Sequence, residues 1–262
     1  MLTNFHTHTN FCDGENTPEE MVKSAIDKGF LALGFSGHSY LEFELSASMS
    51  DTDGYINEIK RLKEKYKDKI QIYLGIEEDL FTKNRRDDFD YIIGSCHFFC
   101  EKGKFYDYDY RETCLEVFDG DAMKLAKRYY EDFCTYILQR KPDIIAHFDL
   151  ITKLEEKEES IFLSDKEYNK LAESYLKEAL KSECIFEINT GAISRGYRTC
   201  PYPSQNLLYI LKENDAKIIL SSDSHAVDTL DCNFEETKNM LLDIGFKYRY
   251  ILYDGEFKKI EI

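Results

Sequence analysis

Asn4-Phe5-His6-Thr7-His8-Thr9 opens the chain, and the fold is decided by reading this stretch together with four later echoes of it. Side chains alternate along an extended segment, so His6 and His8 project to one side and Thr7 to the other. One strand end then offers two imidazoles to one ion. A single His-x-His more often marks two ordinary half-buried histidines. The other histidines change that balance: His38, His97, His147 and His225 each lie just past a short apolar run, and three of them have a glycine or acidic neighbour suited to a loop. None of the six histidines is left for a surface role. Strands that keep ending in histidine point to a polynuclear metal centre.

Outward from these runs, strands alternate with helices. Thr17-Pro18-Glu19-Glu20 reads as a capping box with proline at the first helical position, followed by Met21, Val22, Ala25 and Ile26 at helical spacing and Gly29 as the stop. Residues 30–35 form a short apolar strand into Ser36-Gly37-His38, and a helix over 55–67 precedes a strand at 70–74 that ends at Glu77-Glu78. A strand over 89–97 runs into His97, and the tyrosine-rich segment 105–110, without a clear period, reads as a loop over an open face. A helix at 122–139 and a strand at 142–147 follow. Ser164-Asp165-Lys166-Glu167 is a second capping box, opening a helix that runs to about residue 181. Strands at 185–189 and 216–220 flank a helix at 205–212, and a helix at 235–242 with a strand at 248–253 closes the chain. The run 155–159 reads as a solvated acidic loop.

Seven strands, each followed by a helix or long loop, describe a parallel sheet with crossover helices. In a barrel the C-terminal strand ends converge on one face. His6, His8, His38, Glu77, His97, His147, Asp223 and His225 would then meet there, although far apart in sequence. An open doubly wound sheet would gather ligands at one switch point instead. The expectation is therefore an α/β barrel.

Composition bounds what such a centre serves. At 262 residues with 43% hydrophobic content, the chain can bury a full core as a single domain spanning 1–262. A net charge of -16 disfavours nucleic acid as a partner. The eight cysteines show no C-x-x-C pair and read as reduced, mostly buried small hydrophobes. No stretch approaches the roughly 18 apolar residues of a membrane span and no signal peptide is visible, so the expected location is cytoplasmic, with no membrane partner. Oligomeric state is not written in the sequence.

The ordered set His6-x-His8, Asp13, His38, Glu77, His97, His147 and Asp223-x-His225 resembles the metal motif of the polymerase and histidinol phosphatase (PHP) family over almost the whole chain. Gly94-Ser95-Cys96-His97-Phe98 and Glu187-Ile188-Asn189-Thr190-Gly191, with nearby Arg195, are similar to its stand-alone phosphatases. The resemblance implies a distorted, TIM-like (β/α)7 barrel holding up to three divalent ions (Zn, Fe or Mn). By resemblance His6, His8, Glu77 and Asp223 hold one, Glu77, His97 and His147 a second, and Asp13, His38 and His225 a third. Imidazole suits such ions, and a carboxylate can bridge two of them. Glu77 is the expected bridge, with Glu78 open as the alternative, and Asp13-Gly14 also reads as a plain turn.

The implied activity is hydrolysis of a small phosphorylated substrate, L-histidinol phosphate, to L-histidinol and phosphate, by attack of a metal-bridging hydroxide on phosphorus. Glu77, Asp223 and His225 are the expected catalytic residues. Arg195, Arg198, Ser95 and Asn189 are the expected substrate-binding ones, the arginines as paired donors to phosphate oxygens or else as surface residues. Arg195 is no ligand on this reading, so its truncation should leave metal content intact. Glu42, Glu44 and Asp107 are loop carboxylates placed to meet the amine and imidazole. Three divalent ions against Asp13, Glu77 and Asp223 leave about three positive charges for a phosphate dianion. Two other readings stand beside this one: a PHP nuclease or nucleotide phosphoesterase acting on diesters, and a non-catalytic metal-binding regulatory domain.

Overall fold

The computed structural model describes residues 1–82 and 86–262. Its main sheet runs in the order β1 (Thr3–Asn4), β2 (Ala32–Phe35), β3 (Gln71–Asp79), β4 (Tyr91–Ser95), β7 (Ile144–Ile145), β8 (Ile185–Asn189), β9 (Ile218–Ser221), β10 (Tyr248–Tyr253) and β11 (Glu256–Glu261). Pairing is parallel from β1 to β10, and β11 returns antiparallel on β10. The order follows the sequence, as a barrel requires and a doubly wound sheet does not.

The two ends of the parallel run meet just past β1 and β9. His8 N donates to Ser224 O (2.8 Å) and Ser224 N to His6 O (3.1 Å), a parallel bridge pairing Thr7 with Ser224. Alternation about that pair puts His6 and His8 on the same side as Asp223 and His225. Closure and ligand convergence are one geometric event.

Inside, Phe5, Tyr91, Ile93, Ile144, Ile185 and Ile219 form one buried cluster. The Tyr91 hydroxyl donates to the carbonyls of Phe5 (2.6 Å) and Phe35 (3.1 Å), satisfying groups beneath the site. Outside lie α1 (Pro18–Asp27), α2 (Thr52–Lys65), α4 (Ala122–Arg140), α5 (Lys166–Ala179), α7 (Gln205–Glu213) and α8 (Phe234–Ile244). The helix α4 buries Tyr129, Tyr130, Phe133 and Ile137 against the sheet, each worth roughly 1.5–3 kcal/mol of transfer free energy.

Several elements differ from the sequence expectation. The tyrosine-rich segment is no open loop: β5 (Phe98–Glu101) and β6 (Lys104–Asp107) form a hairpin, and α3 (Arg111–Val117) follows it. In the acidic run 155–159, Glu155 is buried and accepts from Arg111, Ser160, Phe162 and Leu163. The cap of α5 is Asp165, not Ser164, its carboxylate accepting from the amides of Glu167 and Tyr168. All cysteines are free as expected, but only Cys96, Cys114 and Cys134 are buried and the other five are partly exposed. Among the described residues, no helix is long and apolar enough to cross a membrane.

Candidate metal centre

Apart from Asp13, which lies in a turn well past β1, the histidines, Glu77 and Asp223 sit near or just past the C-terminal end of a strand. The strand β3 extends through Gly75 to Asp79, so its acids alternate: Glu77 and Asp79 face the centre and Glu78 faces away. Glu78 is buried against Arg86 and Tyr136, which settles the register in favour of Glu77. One Glu77 oxygen, Oε2, lies 3.2 Å from His6 Nε2, 3.5 Å from His8 Nε2 and 2.9 Å from His38 Nδ1. The other, Oε1, lies 3.4 Å from His97 Nε2 and 3.2 Å from His147 Nε2. Its two oxygens thus face two different groups of imidazoles.

Asp223 Oδ1 completes the first group, 3.6 Å from His6 Nε2 and 3.2 Å from His8 Nε2. Asp223 holds a left-handed φ of 48°, a conformation aspartate adopts more readily than most residues with a Cβ. A third group gathers about Asp13, whose Oδ2 lies 3.2 Å from His225 Nε2 and 3.6 Å from His38 Nε2, with Oδ1 3.5 Å from His8 Nδ1. Asp13 reaches back because the chain turns tightly at Gly14, where a Cβ would stand 2.5 Å from Thr9 N. The same turn that needs Gly14 brings the Asp13 carboxylate to the imidazoles.

The chemistry of these atoms fits divalent ions. His6 Nε2, His8 Nε2 and Glu77 Oε2 are fully buried, and none has a hydrogen-bond partner despite their closeness. Such orphans cost about 1–3 kcal/mol each unless something else satisfies them. Three subsets have mutually close ligand atoms: His8, Asp13, His38 and His225; His6, His8 and Glu77; His38, Glu77 and His97. Burial alone would drive the proton off His6, yet the carboxylates of Glu187, Asp223 and Glu77 raise its pKa to about 10. Burial would likewise push Glu77 up, and the imidazoles of His38, His6 and His97 hold it well below the carboxylate range. An ion at His6 Nε2 would compete with the proton those carboxylates favour.

Two further acids belong to the site and were not assigned from sequence. Glu187 Oε1 lies 2.6 Å from His6 Nδ1, while its Oε2 accepts from His147 N (3.0 Å) and Asn189 Nδ2 (2.9 Å). Asp79 Oδ2 accepts from His97 N at 2.9 Å. With these included, the excess of positive charge is smaller than the three expected from Asp13, Glu77 and Asp223 alone. For Glu187 the available signal was an acid in the middle of a buried strand; Asp79 ends β3.

The expected substrate-binding residues separate. Arg195 is at the centre: Nη2 pairs with Asp223 Oδ2 (3.0 Å), and Nη1 donates to Asp223 O and lies 3.1 Å from His225 Nδ1. Gly191 makes room, since a Cβ there would lie 2.8 Å from Asp223 Cβ and 2.9 Å from Arg195 Nη2. Asn189 is turned onto the carboxylates of Glu187 and Asp223. Ser95 is buried, its hydroxyl directed to Glu78 O. Arg198 is not a surface arginine but is buried, bonded to Thr152 (2.7 Å) and Ser204 (2.9 Å), and the ring of Tyr202 stands between it and His147.

A cleft of about 120 Å³ opens beside the centre, lined by His38, Glu44, Glu77, His97, Phe98 and Asp107 among others. Phe43 stacks on Phe105 at 3.7 Å and meets Phe98 edge-on at 5.3 Å, so hairpin β5–β6 and the loop after His38 share an aromatic wall. Glu42 is exposed and is not among the cleft-lining residues.

Comparison with known proteins agrees with this architecture. The PHP domain model matches residues 4–191. A Schizosaccharomyces pombe protein named "Probable histidinol-phosphatase" is 30% identical over 92% of this chain and 86% of its own length. The histidinol-phosphatase of Lactococcus lactis subsp. lactis is 26% identical over 92% of this chain and 91% of its own. In solved structures, the fold is similar to the L. lactis histidinol phosphate phosphatase complexed with zinc, L-histidinol and phosphate, with a TM-score of 0.72 at 20% identity, covering 98% of both chains.

Proposed function

The chain belongs to the PHP domain family, and from that membership we propose that it is a metal-dependent phosphomonoesterase hydrolysing L-histidinol phosphate to L-histidinol and phosphate in histidine biosynthesis. The observation that carries this reading is the meeting of buried, unpartnered His6 Nε2, His8 Nε2 and Glu77 Oε2 beside an acidic cleft that Glu77 also lines. Divalent ions, zinc, iron or manganese, bound there supply a nucleophile at neutral pH by lowering the pKa of water, and they neutralise phosphoryl charge.

The chain's own residues set the rest. His6, His8, Glu77 and Asp223 would hold one ion, Glu77, His97 and His147 a second, and Asp13, His38 and His225 a third. Arg195 keeps Asp223 in place and presents its guanidinium beside the phosphate position. The cleft wall supplies Glu44 and Asp107 for the cationic imidazole and amine, and Phe98 for the ring face. That acidity opposes a nucleic-acid strand, which favours a small monoester over a polymeric diester. A regulatory domain with an inert site would be expected to have lost ligands, and every expected position is filled. The chain acts in the cytoplasm on this reading.

The test is a phosphate-release assay comparing L-histidinol phosphate with mononucleotides and an aryl diester. The reading expects histidinol phosphate to lead in kcat/KM by at least about 100-fold. Equal or better turnover of the diester would turn the assignment toward a nuclease.

A further inference from the structure

We propose that Glu187 is a positioning residue that fixes the tautomer of His6 and thereby makes the first ligand set competent to hold its ion. This rests on the metal-centre reading above. Asn189 Oδ1 accepts from Gly191 N at 2.8 Å, so its amide nitrogen has to face Glu187. Glu187 Oε2 therefore receives two fixed donors, Asn189 Nδ2 and the His147 amide. The remaining oxygen, Oε1, stands 2.6 Å from His6 Nδ1. An ionised carboxylate only accepts, so His6 keeps its proton on Nδ1, and in the neutral form that binds an ion the Nε2 lone pair is turned toward Glu77 and Asp223. His6 and Glu187 are both sealed from bulk solvent.

An isosteric glutamine would reverse this. It has one accepting oxygen and one donating amide group. The two fixed donors claim the oxygen, which leaves the amide facing His6 Nδ1. The imidazole then has to accept at Nδ1 and carry its proton on Nε2, where the ion should bind. Glu187→Gln is thus a tautomer switch at one ligand set, with shape and packing retained.

The experiment loads wild type and Glu187→Gln with zinc alone, then measures zinc per chain, affinity by chelator competition and the histidine ring nitrogens by NMR. Expected are a loss of about one zinc equivalent, or at least a tenfold weakening of one affinity class, with the class held by Asp13, His38 and His225 unchanged. In the wild type, His6 should show a protonated Nδ1 and a zinc-bound Nε2. Retention of every equivalent within threefold affinity would overturn the proposal, as would uniform loss from all sets, which marks a merely structural role. Should the variant not fold, the wild-type spectrum decides, and a proton on His6 Nε2 overturns it. A wild type that takes up no zinc, iron or manganese overturns both this proposal and the metal-centre reading, whereas poor turnover of histidinol phosphate by a zinc-loaded chain overturns only the substrate assignment.

Discussion

Arg195 and Asp223 form a two-point clamp: guanidinium Nη2 lies 3.0 Å from the Asp223 carboxylate, and Nη1 donates to the Asp223 carbonyl at 3.1 Å. The clamp spends Oδ2 on arginine and leaves Oδ1 for His6 and His8.

That geometry revises what loss of Arg195 should do. Removing the charge-assisted pair should cost about 2 to 4 kcal/mol in kcat/KM, roughly 30- to 1000-fold, and more for a dianionic monoester than for a monoanionic diester. Because Asp223 is freed as well, ion content should fall in Arg195→Ala, where a pure phosphate grip would leave it intact. Kinetics on both esters with elemental analysis of each protein separates these. Unchanged metals and less than about threefold loss would make Arg195 a bystander.

Glu77 faces His6, His8 and His38 with one oxygen and His97 and His147 with the other. Glu77→Gln should accordingly lower occupancy at two positions and reduce kcat by roughly 100-fold or more. His38→Ala should mainly empty the position shared with Asp13 and His225. Anomalous scattering from crystals of each variant measures this directly, and equal occupancy in Glu77→Gln and wild type contradicts the bridge.

Asp107 gives the prediction with a pH sign. Burial, and then the charge of Asp109, push its carboxyl up to about 6, from about 3.9 in an unfolded chain. The ionised form is the costly one, so stability falls as pH rises from about 4 through about 6 and stays lower above. Asp107→Asn should therefore raise Tm at pH 8, with the gain disappearing below about pH 4. The same change should raise KM for histidinol phosphate on the order of tenfold by removing a charged partner for its cationic groups. Melting curves at the two pH values and KM at pH 8 test both halves. A lower Tm at pH 8 with unchanged KM would remove Asp107 from the substrate cleft.

How far the sequence carries depends on where the signal lies. Apolar runs ending in histidine mark strands whose ends converge, because parallel strands must present their C-terminal ends on one face. Asp13 entered through the family resemblance, with a plain Asp13-Gly14 turn as the other reading; the structure has the turn and also sets the carboxylate beside His225 and His38. Glu77 against Glu78 was open because β3 runs past Gly75 into three consecutive acids, and only the strand's true length sets which of them face inward. The hairpin β5–β6 turns at Lys102-Gly103, both with positive φ, and lysine hides a turn that asparagine would advertise. Asp254-Gly255, which turns β10 into β11, did carry that signal. Glu187, quoted only within a motif, and Asp79, the last of three consecutive acids, were not assigned because the sequence does not say which imidazole an acid on a buried strand will meet.

The central claim is that the converged histidines and carboxylates hold several ions and that those ions make the chain a phosphatase. The measurement is elemental analysis of the purified protein, with histidinol phosphate hydrolysis followed before chelation, after it and after ions are restored. The account predicts more than about one transition-metal equivalent per chain, activity lost on chelation and activity recovered on re-addition. A metal-free protein with full hydrolytic activity would contradict it.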